Sequence, residues 1–494
     1  MGYNRETGSK TYLYCICGVA VIGGLLFGYD TAVISGGEKS LQKFFRAGIN
    51  GGEDVEKGPY GDLLHGFVVS AALVGCVIGA LISGVMSDRI GRRNSLIVSS
   101  VLFFLSALGS YMPEFLFRSN FSFYQPAESN KGLMWAFILY RVLGGVGVGM
   151  ASALCPVYIA EVAPAEIRGI LVSCNQFAII FGQLLVYAIN TFIRSSLADT
   201  AEKIERAMIT IGWRRMFVSE AVPAALFGIL LLFVPKTPRF LVLKGKEEKA
   251  TEVLTHINGE QKAKEIIQEI KDTIENEETN SVFSYGWLVI IVGCLLSFFQ
   301  QAVGINVVLY YAPRIFENMH FSGDASMLQT VLMGCVNLIF TIIAIFTVDK
   351  FGRKPLLMGG SIGMAIGMIA LSLFFKYEYL GFAALVFIII YTASFMYSWG
   401  PCCWVLISEI FPNTIRGSAV AIAVAVQWIS NLVVSTTFPK LNSWNSTLTY
   451  LMYGIFSILS AVFVYFMVPE TKRKTLEDIE EIWLEKQKKN QLPK

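Results

Sequence analysis

The 494-residue sequence is poor in charge and in histidine, and each shortage excludes a class of protein. Charged residues make up only 16% of the chain, whereas a soluble globular protein carries about 25%, so a soluble multidomain protein is excluded. The three histidines and nine cysteines are scattered and form neither a metal-ligand pattern nor a secreted disulfide framework. We therefore expect no metal and no cofactor. The 36 Phe, 20 Tyr and 8 Trp exclude a disordered chain.

Long apolar runs are what the chain has in abundance. Each is about as long as the ~20 helical residues that cross a hydrocarbon core of ~30 Å. The runs lack the alternation of a membrane β-barrel, and a helix satisfies its own backbone polar groups in lipid. The predicted spans are 12–34, 64–86, 95–112, 133–157, 170–193, 216–234, 286–312, 327–348, 355–375, 379–408, 418–438 and 448–468. The sequence therefore predicts an all-α membrane protein with twelve transmembrane helices.

Basic residues predict the orientation of the chain and limit its partners. If both termini are cytoplasmic, the inner segments hold 25 Lys and Arg and the outer loops hold 14, which is the excess that the positive-inside rule expects. The net charge of +3 gives no reason to expect nucleic acid. We expect a multi-pass protein of the cell (inner) membrane, with both termini cytoplasmic, that functions as a monomer in the lipid bilayer.

Two motifs occur twice and divide the chain into halves. The segment 88–93 (DRIGRR) follows the second span, and 349–354 (DKFGRK) follows the eighth. In the same way, 161–169 follows the fourth span and 409–417 follows the tenth. Two parallel six-helix halves with a substrate site between them are typical of major-facilitator transporters. We predict a first half over 1–234, a cytoplasmic helical linker over 235–285, a second half over 286–468 and a cytoplasmic tail over 469–494.

Four segments resemble the sugar porter family of the major facilitator superfamily. They read GxxxDRxGRR at 84–93, QQxxGIN at 300–306, GPxxW at 400–404 and PETK at 469–472. The resemblance is closest to bacterial proton-coupled members and implies the major facilitator fold, with a sugar and a proton as partners and D-xylose as the first choice of sugar. The sequence departs from the family at Lys236, where the family usually has a carboxylate that pairs with basic residues when the cytoplasmic gate is shut. That departure puts the charge balance of the first-half gate in doubt.

Three charged residues lie in or at the ends of first-half spans, namely Asp30, Arg141 and Glu220. An ion in lipid costs several kcal/mol, so such residues usually face a cavity and pair with one another. In the proton-coupled relatives that the sequence resembles, a carboxylate at the position of Asp30 forms a salt bridge with the arginine at the position of Arg141. We therefore predict that these three residues couple proton movement to transport. The alternative is that each lies at a span end, in the headgroup layer.

Amides and indoles inside the apolar spans predict a sugar site. Gln300, Gln301 and Asn306 are costly to bury unpaired, and the donors and acceptors of an amide suit the vicinal hydroxyls of a sugar ring. Gly304 allows the helix to bend between them. The candidates that match the binding positions of the family are Gln176, Gln300, Gln301, Asn306, Trp404, Gln427 and Trp428, followed by Phe27, Gln183, Tyr310, Asn337, Gly400 and Asn431. A single glutamine in a span is more often a helix–helix contact, so the prediction depends on the whole set.

Charged residues at the predicted cytoplasmic helix ends are expected to form the gates. Those of the first half are Asp88, Arg92, Arg93, Glu161 and Arg168, and those of the second half are Asp349, Arg353, Glu409 and Arg416. Ion-pair networks at this face stabilise an outward-open state, and breaking them permits inward opening. The alternative is that these charges only set the topology.

Several alternatives to a proton-coupled xylose symporter stay open. A hexose–proton symporter for glucose or galactose and a passive uniporter have the same fold, although Asp30 argues against the uniporter, because passive animal carriers of the family lack that acid. A non-transporting sugar sensor typically has a long cytoplasmic tail, whereas about 26 residues follow the last predicted span. An enzyme is the weakest alternative. No nucleophile–base pair appears in the sequence, and no catalytic residue is assigned.

Overall fold

The computed structural model describes residues 8–49, 60–116, 131–198, 200–275, 284–412, 415–472, 479 and 481–484, and its regular structure is helical throughout. The first-half helices are α1 (Lys10–Ile49), α2 (Asp62–Ile90), α3 (Arg92–Tyr111), α4 (Lys131–Val162), α5 (Ala165–Ser195), α6 (Ala201–Ala207), α7 (Trp213–Val218) and α8 (Ala221–Leu231). Three short helices follow: α9 (Pro238–Leu243), α10 (Glu247–Asn258) and α11 (Glu260–Glu275). The second-half helices are α12 (Trp287–Ala302), α13 (Ile305–Tyr310), α14 (Ala312–Asn318), α15 (Gly323–Phe351), α16 (Arg353–Tyr377), α17 (Phe382–Tyr397), α18 (Trp399–Glu409), α19 (Arg416–Trp444) and α20 (Ser446–Met467).

Eleven helical segments of the described chain are long and apolar enough to cross a membrane. The remaining predicted span, 216–234, corresponds to α7 and α8, which a turn at Ser219 and Glu220 separates into two shorter pieces. Each piece alone is shorter than the ~20 helical residues that cross a membrane, so the sixth span consists of both pieces together. The prediction of an all-α chain with twelve apolar spans is confirmed. The break in the sixth span lies at a charged residue, Glu220.

The first helix is much longer than the apolar run 12–34 from which its span was predicted. α1 continues to Ile49 because its polar continuation finds partners on other helices. Glu38 pairs with Arg314, and Arg46 Nη2 lies 2.6 Å from Asp62 Oδ1 at the start of α2. Hydropathy alone cannot show that a polar helical extension is paired.

Glycines bring the backbones of α2 and α4 into contact. A Cβ atom added to Gly75 would lie 2.0 Å from the carbonyl oxygen of Val142, and one added to Gly145 would lie 1.8 Å from that of Ala72. Such small-residue contacts replace the hydrophobic driving force that is absent between helices in lipid. The contact fixes α4 in the middle of the first half, where Arg141 faces α1.

The two halves meet where α2 packs against α19 and where α5 packs against α15. The short helices α9–α11 form a small core of their own, and the backbone N–H of Ser9 binds the carbonyl oxygen of His256 2.9 Å away. We call the end of the bundle that carries α9–α11 the linker face, and the opposite end the far face. The helical linker lies within the predicted range 235–285, while the exact boundaries of the two halves stay a prediction.

Candidate functional site

A cavity lies between the first-half and second-half helices. It contains about 610 Å³ of space free of protein atoms, its open side included, which is within the ~300–1,000 Å³ of small-molecule sites. Its polar and aromatic lining contains every predicted sugar-site residue except Asn337, namely Phe27, Gln176, Gln183, Gln300, Gln301, Asn306, Tyr310, Gly400, Trp404, Gln427, Trp428 and Asn431. Sequence reasoning missed the other lining residues, which are Thr31, Ile179, Ile180, Ile305, Leu309, Phe395 and Met396. Apolar residues in apolar spans give no signal, and only Thr31, beside Asp30, could have been found.

A break between α12 and α13 positions the central amides. Gly304 has a left-handed backbone with φ +90°, and a Cβ there would lie 2.8 Å from the ring of Tyr453. The chain turns at this glycine, so that Asn306 Nδ2 donates to Gln301 Oε1 across 2.5 Å. The sequence prediction of a bend between Gln301 and Asn306 therefore corresponds to a real interruption of the helix.

The amides form a hydrogen-bonded chain that still has capacity for a ligand. Gln300 Oε1 accepts from Gln301 Nε2 at 2.8 Å and from Gln427 Nε2 at 2.5 Å. Three buried atoms of the lining have no hydrogen-bond partner among the described residues: Gln183 Oε1, Gln427 Oε1 and Trp428 Nε1. Each such atom costs about 1–3 kcal/mol when left unpaired, so a ligand that offers two donors and one acceptor is favoured here.

Aromatic side chains close the cavity beside the amides. The rings of Phe27 and Trp428 lie 5.7 Å apart between centroids, one from each half. Asn431 Nδ2 donates to Tyr310 Oη at 3.3 Å, and Ser435 Oγ donates to Asn431 Oδ1 at 2.9 Å. Ring faces cover C–H surface while the neighbouring amides bind hydroxyls, a combination that suits a sugar.

The predicted proton-coupling residues come together inside the first half. Arg141 Nη1 on α4 donates to Asp30 Oδ1 on α1 at 2.6 Å, and Nη2 donates to the Asp30 carbonyl oxygen at 3.2 Å. The guanidinium lies 5.1 Å from the ring centroid of Phe217. Both charged side chains are fully buried among the helices of the first half, and their role in proton coupling stays a prediction.

Glu220 lies at the break between α7 and α8 and is completely buried. Its carboxyl group is close enough to Asp30 and Arg141 to interact with both charges. Gly144 leaves room for the cluster, because a Cβ atom there would lie 3.4 Å from Asp30 Oδ1. Asp30 therefore forms the salt bridge with Arg141, while the Glu220 carboxyl oxygens lie within electrostatic range of that pair and have no hydrogen-bond partner among the described residues.

Five of the predicted gate residues form ion pairs at the linker face, each within its own half. Arg92 Nε donates to Glu161 Oε1 at 3.0 Å, with Asp88 at 3.4 Å on the same arginine. In the second half, Arg353 Nη2 donates to Glu409 Oε1 at 3.0 Å.

Two further arginines of the first-half set bind backbone carbonyl oxygens. Arg93 donates to that of Leu232 and Arg168 to that of Ala163. The side chains of Asp349 and Arg416 lie outside the described part of the chain. Whether the set acts as a gate stays a prediction.

A second charged cluster, at the far face, was missed by sequence reasoning. Glu38 Oε1 lies 2.6 Å from Arg314 Nη1 and 2.6 Å from His65 Nε2, while Tyr60 Oη lies 3.0 Å from His65 Nδ1. The sequence singles out neither residue, because His65 belongs to no metal-ligand pattern and Glu38 follows the end of the apolar run 12–34. The signal that could have found them is an acid at helical spacing from Asp30, eight residues further along α1.

Comparison with known proteins agrees with this geometry. Residues 16–483 match the family model described as sugar (and other) transporter. Over 492 residues the chain is 49% identical to the D-xylose-proton symporter of Escherichia coli, and the match covers 98% of each chain. Over 475 residues it is 40% identical to the glucose facilitated diffusion protein of Zymomonas mobilis, and that match covers 94% of this chain and 96% of that protein. A solved structure of the E. coli xylose transporter, in a partially occluded inward-open conformation, matches with a TM-score of 0.84 and 49% identity over 94% of this chain and 100% of that one. The chain therefore belongs to the sugar transporter family, the sugar porters of the major facilitator superfamily, and is a multi-pass membrane transporter rather than an enzyme.

Proposed function

We propose that this protein takes up D-xylose together with protons by alternating access between its two halves. The observation that carries the proposal is that α1 joins two sites. Asp30 binds Arg141 in the buried ion cluster, while Phe27 and Thr31 of the same helix line the cavity. A movement of α1 that accompanies sugar binding therefore reaches the acid that would carry the proton. The 49% identity to a D-xylose-proton symporter supports xylose as the sugar and the proton as the coupled ion.

The charge of the ion cluster favours one bound proton. With both carboxyl groups ionised, Asp30 and Glu220 would give the cluster a net negative charge, since Arg141 is its only cation. A net charge in the membrane interior costs several kcal/mol, so protonation of one carboxyl group lowers the free energy of the occluded arrangement. Where water enters, the ionised form is favoured and the proton leaves. Exposure to one side and then the other would carry one proton across in each cycle.

The unpaired atoms of the cavity support the sugar half of the proposal. Ring hydroxyls can donate to Gln183 Oε1 and Gln427 Oε1 and accept from Trp428 Nε1. The Phe27 and Trp428 rings would cover the C–H faces of the same sugar. We propose that the remaining predicted binding residues complete the site: Gln176, Gln300, Gln301, Asn306, Tyr310, Gly400 and Trp404.

We propose that the linker face and both termini are cytoplasmic. The membrane in this proposal is the cell (inner) membrane. The halves 1–234 and 286–468 would rock about the cavity in a monomer, joined by the linker 235–285 and followed by the tail 469–494. Glu38 and Arg314 hold the halves together at the far face, whereas Arg92–Glu161 and Arg353–Glu409 each lie within one half. This pattern supports an inward-facing state, and so does the match to an inward-open transporter.

Reconstitution of the purified protein in liposomes tests the proposal. A proton gradient with the acid side outside should drive labelled xylose above its external concentration, and xylose added without a gradient should carry protons inward. Glucose and galactose in the same vesicles test the hexose alternative. Equilibration of sugar without accumulation or proton movement would favour a uniporter, which the similarity to a facilitated diffusion protein makes the second candidate. Absence of sugar movement with every sugar would contradict both.

A further inference from the structure

The far face is closed by ion pairs that join the two halves. Glu38 on α1 is paired with Arg314 on α14 at 2.6 Å, and Arg194 Nε lies 2.9 Å from Asp324 Oδ1. The Glu38 side chain is only 2% exposed, whereas that of Asp324 is 69% exposed. Exposed pairs contribute little to stability, whereas separating a buried pair leaves an uncompensated buried charge, so the Glu38–Arg314 pair dominates closure of the far face.

A histidine of the same half as Glu38 belongs to this buried pair. His65 on α2 is 0% exposed, and its Nε2 lies 2.6 Å from the oxygen of Glu38 that Arg314 also binds. Tyr60 Oη lies 3.0 Å from the other ring nitrogen. A neutral imidazole satisfies both contacts, because it donates from Nε2 to Glu38 and accepts at Nδ1 from Tyr60.

Opening of the far face would separate these charges unequally. Arg314 moves with the second half, while Glu38 and His65 both move with the first half. In the closed state, Arg314 neutralises Glu38. A buried carboxylate that loses its cation is costly unless another positive charge replaces it. A proton held between Glu38 and His65 is the replacement that lies within hydrogen-bond distance.

Among the residues that the structure describes, the other charged groups around the cluster have partners of their own in the closed state. Arg46 on α1 pairs with Asp62 at 2.6 Å, and Gln42 binds the same carboxylate at 3.3 Å. Tyr311 Oη donates to the carbonyl oxygen of Ser435 at 3.1 Å. Lys43 pairs with Glu205 within the first half. Lys39 pairs with Glu317 across the two halves, but its side chain is 48% exposed, whereas that of Glu38 is 2% exposed and contacts His65 directly.

We propose that Glu38 and His65 form a second proton-binding site, separate from Asp30, that binds a proton when the far face opens and releases it when Arg314 returns. The proton enters and leaves on the same side, so it adds nothing to the coupled stoichiometry. Because opening binds one proton, acid favours the open far face, by up to about tenfold in the open-to-closed ratio per pH unit. The inference goes beyond the proposed function, since a symporter and a uniporter would use the site alike.

Distance measurements between spin labels on the two halves test the site without any transport. Lys203 on α6 and Ser443 on α19 are exposed at the far face, and keto amino acids at both positions accept spin labels without touching the nine native cysteines. In nanodiscs, the fraction of long distances should rise as the pH falls from about 8 to about 5. The rise should persist in Asp30→Asn, which removes the other proton site.

Glu38→Gln should abolish this pH dependence, because a neutral side chain needs neither Arg314 nor a proton. Arg314→Gln should abolish it as well, since the closed state then needs the proton too. Glu205→Gln is the matched control. The hydrogen bond from Lys43 lowers the pKa of Glu205, so this carboxyl group should bind no proton between about pH 8 and about pH 5, and its replacement should leave the pH dependence unchanged. Unchanged pH dependence in both Glu38→Gln and Arg314→Gln, or its disappearance in Asp30→Asn, would overturn the proposal.

Discussion

Arg141 on α4 donates a 2.6 Å hydrogen bond to the carboxylate of Asp30 on α1, and both side chains are buried in the first half. Removal of one partner from such a pair leaves an uncompensated charge that costs about 3–5 kcal/mol. The pair lies next to Thr31 and one turn from Phe27, both of which line the cavity. The coupling acid and the sugar site thus share one helix, and the predictions below separate their roles.

The first prediction concerns Asp30→Asn. The amide keeps the shape of the side chain but cannot carry a proton, so accumulation of xylose should be lost while exchange across the membrane continues. One coupled charge is worth ~2.3 kcal/mol per 100 mV, which corresponds to roughly fortyfold accumulation in the wild type. Uptake and counterflow of labelled xylose in liposomes measure the two activities separately.

Glu202→Gln is the control for this experiment. Glu202 forms an exposed pair with Arg206 one turn away on α6, and its side chain is 79% exposed. The same change of acid to amide there should leave accumulation intact. Accumulation to wild-type levels in Asp30→Asn would show that another group carries the proton.

Much of the candidate site was accessible to sequence reasoning because its chemistry is unusual for its surroundings. Gln300, Gln427 and Trp428 are polar groups in apolar spans, and a buried polar group requires a partner wherever the fold places it. Asn337 was predicted on the same ground, yet it is not a lining residue of the cavity. A polar residue in an apolar span therefore needs hydrogen-bond partners, but the sequence does not show the direction in which its side chain points.

The far-face cluster could not be predicted, because its members are distant in sequence and ordinary in composition. Glu38 and Arg314 are 276 residues apart and belong to different halves. Glu38 also follows the end of the apolar run of α1, where hydropathy predicts a loop. A polar helical extension is stable only through tertiary partners, and a single sequence does not specify them.

The second prediction concerns Gln300→Ala. Gln300 Oε1 accepts hydrogen bonds from Gln301 and Gln427, so its loss leaves two buried amide donors without their acceptor. Loss of a buried hydrogen-bond partner costs about 1–3 kcal/mol, which corresponds to roughly 5- to 150-fold weaker sugar binding. Calorimetric titration with xylose and with glucose should show weakening for both sugars.

The matched control is Gln268→Ala on α11. Gln268 is exposed and donates to Asp272 one turn away, so the same truncation there should leave sugar affinity unchanged. Equal affinity in Gln300→Ala and wild type would remove Gln300 from the sugar site.

The third prediction concerns Lys236→Glu at the linker face. The ammonium of Lys236 lies 5.5 Å from the ring centroid of Phe240, and that ring packs against Gly91, just before Arg92 and Arg93. A carboxylate at this position should pair with those arginines when the linker face closes, and should favour the outward-open state by no more than about 1 kcal/mol. Labelling of cysteines introduced along the linker-face entrance should therefore slow.

Lys244→Glu is the control, because Lys244 lies on the same ring at 5.6 Å but follows α9 in an exposed position. It should change the labelling rate less than Lys236→Glu does. Faster labelling in Lys236→Glu would instead mean that Lys236 already has an acidic partner in the closed state.

The fourth prediction concerns Gly145→Ala in the contact between α2 and α4. Alanine in place of glycine normally stabilises a helix by about 0.5–1 kcal/mol. At position 145 the added Cβ would lie 1.8 Å from the backbone oxygen of Ala72, so the helices must move apart, at a cost of about 1–3 kcal/mol. Thermal unfolding in detergent should show a lower midpoint for Gly145→Ala. Gly18→Ala on α1, where a Cβ meets nothing within 4 Å, should not lower it, and equal midpoints would contradict the close contact.

The last prediction concerns the choice between xylose and glucose. The two sugars differ by an exocyclic hydroxymethyl group, and amides such as Gln300 and Gln427 would hold the ring hydroxyls that they share. Hydrogen bonds to shared groups cannot discriminate, so rejection of the larger sugar must come from crowding in the cavity. Transport also requires that the bound sugar favours closure of the two halves, which a larger sugar can prevent. We therefore expect xylose to be transported and glucose to compete at the same site without being moved. Uptake of labelled xylose with and without excess glucose, beside uptake of labelled glucose, measures both. Rapid glucose uptake with no xylose uptake would show that this protein carries a hexose.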